Sequence, residues 1–378
     1  MCIRDRALSV ERDTPFEGDP PFVVLSSTSA FRVQENGLAT RYRQVIMRVR
    51  HAERAASARS FQVSYSPSMQ EVEVHDARII REDGTVILAS RRARHLLPDL
   101  QLRMWYDTRV LTLAFPRLED GDLIDVRYAV SDRGQTNPIG EGYFGTIEVL
   151  GQQVPVLSSR VVIDGAEELP LVHNFVNVGG LQQSEVQREG RRVRVFDLEP
   201  IAAFKDAPDA PSPTERLPYV VVSSVDDWTT LGRIYADLIR DQLTLTPDIE
   251  ELVARLTRGS TSRRETVRRL YEWVIDNTRY VALEFGIHAL KPYDIGSVMQ
   301  RRHGDCKDKA SLLVAMLNEA GIESKVTLLR TSLRGGIDTS VPTFSLFDHA
   351  IVYVPGEELW LDGTVLHHAL EETPFADL

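Results

Sequence analysis

The chain runs to 378 residues but holds only two cysteines, Cys2 and Cys306, so neither a disulfide framework nor a multi-thiolate zinc site can be built from it. Nor does any apolar run approach the roughly 18 residues that a membrane-spanning helix needs. Basic residues are in deficit, 44 Lys and Arg against 55 Asp and Glu. The resulting charge of -11 argues against a general binder of nucleic acid or anionic membrane, both of which use a net cationic face. No tandem repeat of fixed period stands out. The opening MCIRDR is not followed by the apolar core of an export signal, and Asp13 to Pro21 is acidic and Pro-rich. Residues 1–21 therefore read as a disordered or artefactual N-terminal segment. The full chain is 43% hydrophobic and 26% charged, and long enough for about two domains.

From residue 22 to residue 204 the apolar positions recur with a period near two. Ile124, Val126, Tyr128 and Val130 alternate with Asp125, Arg127 and Ala129, and Val193 and Val195 alternate with Arg192 and Arg194. Asn36-Gly37, Asp83-Gly84 and Asp164-Gly165 punctuate the pattern as turn dipeptides. These features predict half-buried antiparallel strands in an all-β sandwich over 22–204. Four prolines at 208, 211, 213 and 218 then mark 205–223 as a linker, since proline can neither continue a helix nor donate within a central strand.

Beyond the linker the period becomes helical. Trp228, Leu231, Tyr235 and Leu238 share a face, and Thr246-Pro247 followed by Asp248, Glu250 and Glu251 is a helix start by capping, fixed φ and dipole. Ser262 and Glu265 form a candidate capping box. A fourth helix is expected from Asp305 to Gly321, followed by strands at 326–330, 349–354 and 359–362. Residues 224–378 thus read as an α+β domain with helices packed on an antiparallel sheet.

Cys306 falls in the first turn of the fourth helix, where unpaired N–H groups and the helix dipole favour a thiolate. Lys307 and Lys309 push the same way, Asp305 and Asp308 oppose them, and Gly304 permits a sharp approach. Taken alone, the cysteine is as readily a small core hydrophobe. A thiol nucleophile needs a base and an orienter. If the 349–362 segment is a hairpin turning between Pro355 and Gly356, its facing residues sum to 711, which pairs Ile351 with Trp360 and His349 with Asp362. Facing residues have Cβ atoms about 5 Å apart, within reach of a carboxylate that holds an imidazole tautomer. A slip of one residue would put the two on opposite faces. Without the cysteine, Asp362-Gly363 is an ordinary turn. His303 stands too isolated for a closed zinc site, His367 and His368 fall in a polar tail, and the arginine pairs at 263/264, 268/269 and 301/302 read as a solvated face.

The runs Tyr271 to Val281, Gly286, Lys291-Pro292, Arg302 to Lys309, Asp348-His349-Ala350 and Trp360-Leu361-Asp362-Gly363-Thr364 resemble the transglutaminase-like superfamily. The likeness extends from about Trp228 to Thr364. More narrowly, it resembles bacterial proteins in which this core follows a β-rich domain of unknown function, DUF3857, which the upstream region resembles through Phe31-Arg32-Val33 and Asn36-Gly37. The resemblance implies a papain-like fold with nucleophile, base and orienter in the order Cys306, His349 and Asp362. It further implies Tyr280 with the Cys306 backbone N–H as oxyanion donors. The expected chemistry is thiol acyl transfer at an amide bond of a protein or peptide substrate, a peptidase or amidase reaction when water accepts, a cross-linking transglutaminase when an amine does. No metal or organic cofactor is implied, and no EF-hand-like loop is present. The resemblance is to proteins often exported to the bacterial periplasm or cell envelope, yet no export signal is visible here, which leaves the compartment open. A second expectation, from a different class, is an envelope binding or scaffold protein whose β-domain engages a peptide or glycan, with the core kept for structure.

Overall fold

A computed structural model describes residues 14–96, 99–101, 103–204 and 211–365. Cys2, His367 and His368 lie outside the described residues. The chain divides into two units, the first from residues up to 96, 108–228 and 335–344, the second from 97–107, 229–334 and the residues from 345 onward.

The first unit is built on an eight-stranded sheet. Its order is Leu181–Arg188, Arg191–Leu198, Ser159–Ala166, Phe22–Val33, Ala39–Val49, Leu123–Asp132, Gln70–Ile80 and Val86–Leu88. Neighbours run antiparallel except Phe22–Val33 with Ser159–Ala166, which are parallel. Because side chains alternate across a strand, Val45, Met47, Ile124 and Val126 face one side. There they pack with Leu113 and Phe115, the former from the small sheet formed by Ser60–Tyr65, Arg109–Ala114 and Ser90–His95. Further along the same face, Phe31, Val161, Ile163 and Phe196 pack with Val220 and Val222 of a second small sheet, Gly145–Val149, Tyr219–Ser223 and Val172–Val176. Each such side chain contributes about 1.5–3 kcal/mol on burial. On the opposite face the buried Asp125 receives Arg78 Nη2 at 2.9 Å and Arg127 Nη2 at 3.0 Å, so its charge is compensated by strand neighbours.

Two local expectations are corrected. Tyr219–Ser223, assigned to the linker on its prolines, is a strand with all five residues buried, centred in its sheet. Pro218 stands just before the strand and takes part only as an acceptor, its carbonyl receiving Leu150 N at 2.8 Å, so its missing N–H costs the ladder nothing. Asp164-Gly165 is not a turn. It lies within the strand Ser159–Ala166, and a Cβ at Gly165 would come 2.6 Å from Leu171 Cδ1, so the glycine serves close approach.

In the second unit, helices Pro247–Thr257, Arg263–Asn277, Ile295–Arg301 and Cys306–Glu319 share a core with the sheet Lys325–Leu329, His349–Val354 and Leu359–Leu361. Ile249, Leu270, Val274, Val298, Leu313 and Val352 are fully buried there. Helix Cys306–Glu319 is central, with every residue from Lys307 to Leu317 buried. Asp305 and Asp308 close a capping box at its start, and Gly321, at φ 74°, follows its end. The Ser262 hydroxyl accepts from Glu265 N at 3.1 Å, but the Glu265 carboxylate reaches back to Thr261 N rather than to Ser262. Thr246 makes no side-chain cap, which leaves Pro247 and the first-turn carboxylates to start that helix.

Together these elements give the α+β class, a sheet-rich N-terminal region followed by helices on an antiparallel sheet.

Candidate active site

The short strand His303–Gly304 pairs in parallel with Arg279–Tyr280 and delivers the chain to Asp305, the N-cap of helix Cys306–Glu319. Glycine is required at 304 because a Cβ there would lie 2.5 Å from Asp308 Cβ. Asp308 Oδ1 accepts from Tyr293 N at 2.8 Å and its Oδ2 from Asp305 N at 3.1 Å, fixing the first turn from two sides. Burial and the charge of Asp305 push the Asp308 pKa up to about 7 against those two amide donors. Cys306 is half-buried.

The hairpin that carries the histidine has a different register from the one its turn dipeptide suggests. Val352 faces Leu361, Tyr353 faces Trp360 and Val354 faces Leu359, with a 3-10 turn at Pro355–Glu357 and Glu358 in the left-handed region at φ 52°. The offset from the expected pairing is two residues. Since faces alternate with a period of two, His349 and Asp362 remain on one side although they no longer face directly. His349 Nε2 donates to Asp362 Oδ2 at 2.8 Å. The same imidazole is hydrogen-bonded to the Cys306 thiol, which with Nε2 engaged leaves Nδ1 toward the sulfur.

Asp362 is fully buried and well supplied with donors. Thr364 N at 2.8 Å and Thr364 Oγ1 at 2.7 Å donate to Oδ1, while Tyr271 Oη donates to the Asp362 carbonyl at 2.9 Å. Burial would raise its pKa, but the His349 hydrogen bond and charge, with Thr364, hold it below the usual carboxylate value. Burial likewise works to lower the His349 pKa. The hydrogen bonds to Asp362 and Cys306 and the charges behind them win, raising it to about 10. Imidazolium is therefore the favoured state at neutral pH.

Tyr280 pairs with Gly304, two residues before the cysteine, and is half-buried. Burial, then the charges of Cys306 and Asp305, push its phenol upward, so it stays an O–H donor. Three side chains have surroundings that the sequence does not reveal. Tyr235, buried on helix Trp228–Ile239, has its phenol raised by burial and then by the charge of Cys306. Lys307 and Lys309 point inward. Lys307 pairs with Asp305, while Lys309 Nζ donates to the Thr278 carbonyl at 2.9 Å and burial lowers its pKa to about 8. The arginine pairs are not simply solvated: Arg269 bonds the carbonyls of Leu256 and Arg258, and Arg301 and Arg302 lie over the rings of Tyr293 and Trp273. His303 Nδ1 bonds the Arg301 carbonyl at 3.0 Å, and no group of three metal-ligating side chains occurs among the described residues.

Comparison with known proteins supplies the family context. Residues 35–205 match a domain family of unknown function with solved structures, DUF3857, and residues 250–360 match the transglutaminase-like superfamily. The second match supports a papain-like enzyme class for the core. No curated protein matches the chain. A solved structure from Parabacteroides distasonis, named as a candidate protease, aligns with TM-score 0.72 at 18% identity over 90% of this chain and 67% of its own, a likeness of fold. A candidate cysteine protease from Cytophaga hutchinsonii shares 13% identity over 59% of this chain and 79% of its own, with a TM-score of 0.26 that is too low to inform the fold. The chain carries a DUF3857 domain followed by a transglutaminase-like core, in the order its motifs imply.

Proposed function

We propose that the core is a thiol-dependent acyl-transfer enzyme acting on amide bonds of a protein or peptide, with hydrolysis as its principal outcome. The observation that carries this is a single imidazole bonded on one side to the Cys306 thiol and on the other, at 2.8 Å, to the buried Asp362. In this reading the thiol proton resides on His349 Nδ1 before substrate arrives, and Cys306 Sγ attacks the carbonyl carbon. The oxyanion is met by the Cys306 backbone N–H and Tyr280 Oη. Collapse of the tetrahedral intermediate breaks the C–N bond as Nδ1–H protonates the leaving amine. Neutral His349 then takes a proton from water, which attacks the thioester; the C–S bond breaks, the acid leaves, and Cys306 Sγ is freed with the proton again on His349 Nδ1. Asp362 keeps the ring oriented and stabilises the imidazolium. An amine in place of water would give transamidation through the same thioester.

The test is labelling of the full chain by a thiol-directed peptide probe library, with and without a primary amine acceptor. Wild type is expected to label and Cys306→Ala not at all, with His349→Ala slower by about 10²-fold or more. Equal labelling of wild type and His349→Ala would remove the proposed base. Amine incorporation exceeding hydrolysis would replace the peptidase reading by the cross-linking one.

A further inference from the structure

The covered face of the large sheet is mostly apolar, but arginines interrupt it: Arg194 near one end, facing Ile163 and held by the Leu171 carbonyl and His173 Nδ1, and two more across its middle. Along Ala39–Val49 the residues on that side are Ala39, Arg41, Arg43, Val45, Met47 and Val49, so two arginines interrupt the alternation. Arg41 faces Phe31 and Val130, and Arg43 faces Ser29 and Tyr128, which puts both between the two apolar cores. An arginine on the covered face of a sheet requires a counter-group. Arg43 has one: its guanidinium bonds Ser29 Oγ and Glu148 Oε1, the latter at 2.5 Å. Arg41 does not. Its Nε is buried without a hydrogen-bond partner among the described residues, and no carboxylate there pairs with it.

Arg41 stands in the wall shared by two cavities. One, of about 200 Å³, is lined by Ser29, Arg43, Gln62, Ser64, Tyr128 and Glu148, and the other, of about 190 Å³, by Gln70, Asp132 and the turn around Pro138. Their acids are already engaged. Glu148 takes Ser29 and Arg43, while Asp132 accepts Ala39 N at 3.0 Å and the Gln70 amide at 3.1 Å. The cleft therefore offers one uncompensated guanidinium, whose planar fork matches a carboxylate. The exposed Gln62 amide and Ser64 hydroxyl can serve a peptide backbone, and Glu148 and Asp132 disfavour a dianion. Cavities of this size admit a short chain end rather than a folded surface.

We propose that this cleft in the first unit is a binding site for a peptide carboxylate, held by Arg41. The site is separate from the thiol chemistry and does not depend on it.

Isothermal titration of the full chain carrying Cys306→Ala, so that no peptide is consumed, tests it with four probes: tri-alanine, its C-terminal amide, end-blocked Ala-Glu-Ala and inorganic phosphate. Tri-alanine binding identifies a terminal carboxylate as the ligand, and binding of the blocked glutamate peptide identifies a side-chain one. In either case the amide form is expected to give no heat, Arg41→Gln to weaken binding at least 10-fold, and Arg41→Lys to fall between. The proposal is overturned if neither carboxylate peptide binds, if the amide binds as well as the acid, if phosphate binds more tightly, or if a folded Arg41→Gln titrates like its parent. Should Arg41→Gln fail to fold, the acid-against-amide comparison still decides.

Discussion

In the second unit Asp362, with no exposed surface, receives His349, two groups of Thr364 and a supporting hydroxyl from Tyr271 at its carbonyl, and every bond helps to aim one imidazole. In the first unit two arginines of one strand, Arg41 and Arg43, sit on the covered face of a sheet, and of these only Arg43 has its counter-charge. Both arrangements place ionic groups where burial penalises them. One network is closed and points at a sulfur, whereas the other is left open on a cleft. In the proposed reading the closed network fixes geometry for chemistry of the chain's own side chains, and the open one leaves a donor for a ligand.

The contrast can be broken most directly at the closed network. Asp362→Asn is expected to preserve the fold, by near-UV circular dichroism, and to lower kcat/KM on a cleaved peptide by about 10²–10⁴-fold, because the amide neither holds the imidazole tautomer nor stabilises its charge. Unchanged kinetics would separate Asp362 from the reaction. The His349 pKa, raised to about 10, sets the alkaline side of the same profile: activity should be lost as pH climbs through that value, when the imidazolium needed to protonate the leaving amine disappears. His349 should add stability along the same axis. Its contribution is complete below its ordinary value of 6.5 and is lost as pH rises through about 10, which pH-dependent denaturant unfolding would read.

Stability distinguishes the two arginines. Glu148→Ala strips Arg43 of its partner and should cost about 1–3 kcal/mol in urea unfolding, whereas Arg41→Met, removing a charge with no partner, should be neutral or stabilising in the absence of ligand. Equal losses would mean that both arginines are structural. Gly304→Ala must displace Asp308 and the first turn behind it, with an expected loss of about 1–3 kcal/mol. The smallest effect is expected from Tyr271→Phe, which removes one bond to the Asp362 carbonyl, worth about 0.5–1.5 kcal/mol.

Much of this site is legible in the order of residues because its determinants are local. Asp305 and Asp308 are a capping box three residues apart, and they announce both the helix and the cysteine in its first turn. The hairpin period keeps His349 and Asp362 on one side even though the turn was misplaced. Less legible is whatever depends on partners far along the chain. Nothing near Tyr219–Ser223 reveals that its neighbours are Gly145–Val149 and Val172–Val176, and the prolines before it suggest the opposite. The parallel pairing of Phe22–Val33 with Ser159–Ala166 is equally remote. Lysines look solvent-seeking in any sequence. Lys309 is buried because its aliphatic stem packs while its ammonium reaches the Thr278 carbonyl, a partner 31 positions away.

The four-residue connection from Pro355 to Glu358 has an engineering consequence. Lengthening it leaves the paired rungs alone, so a tag or reporter inserted after Gly356 should be accommodated without disturbing the imidazole. One extra residue between Leu359 and Leu361 is another matter: it would rotate the carboxylate to the far side of the ribbon while leaving the composition of the core almost unchanged.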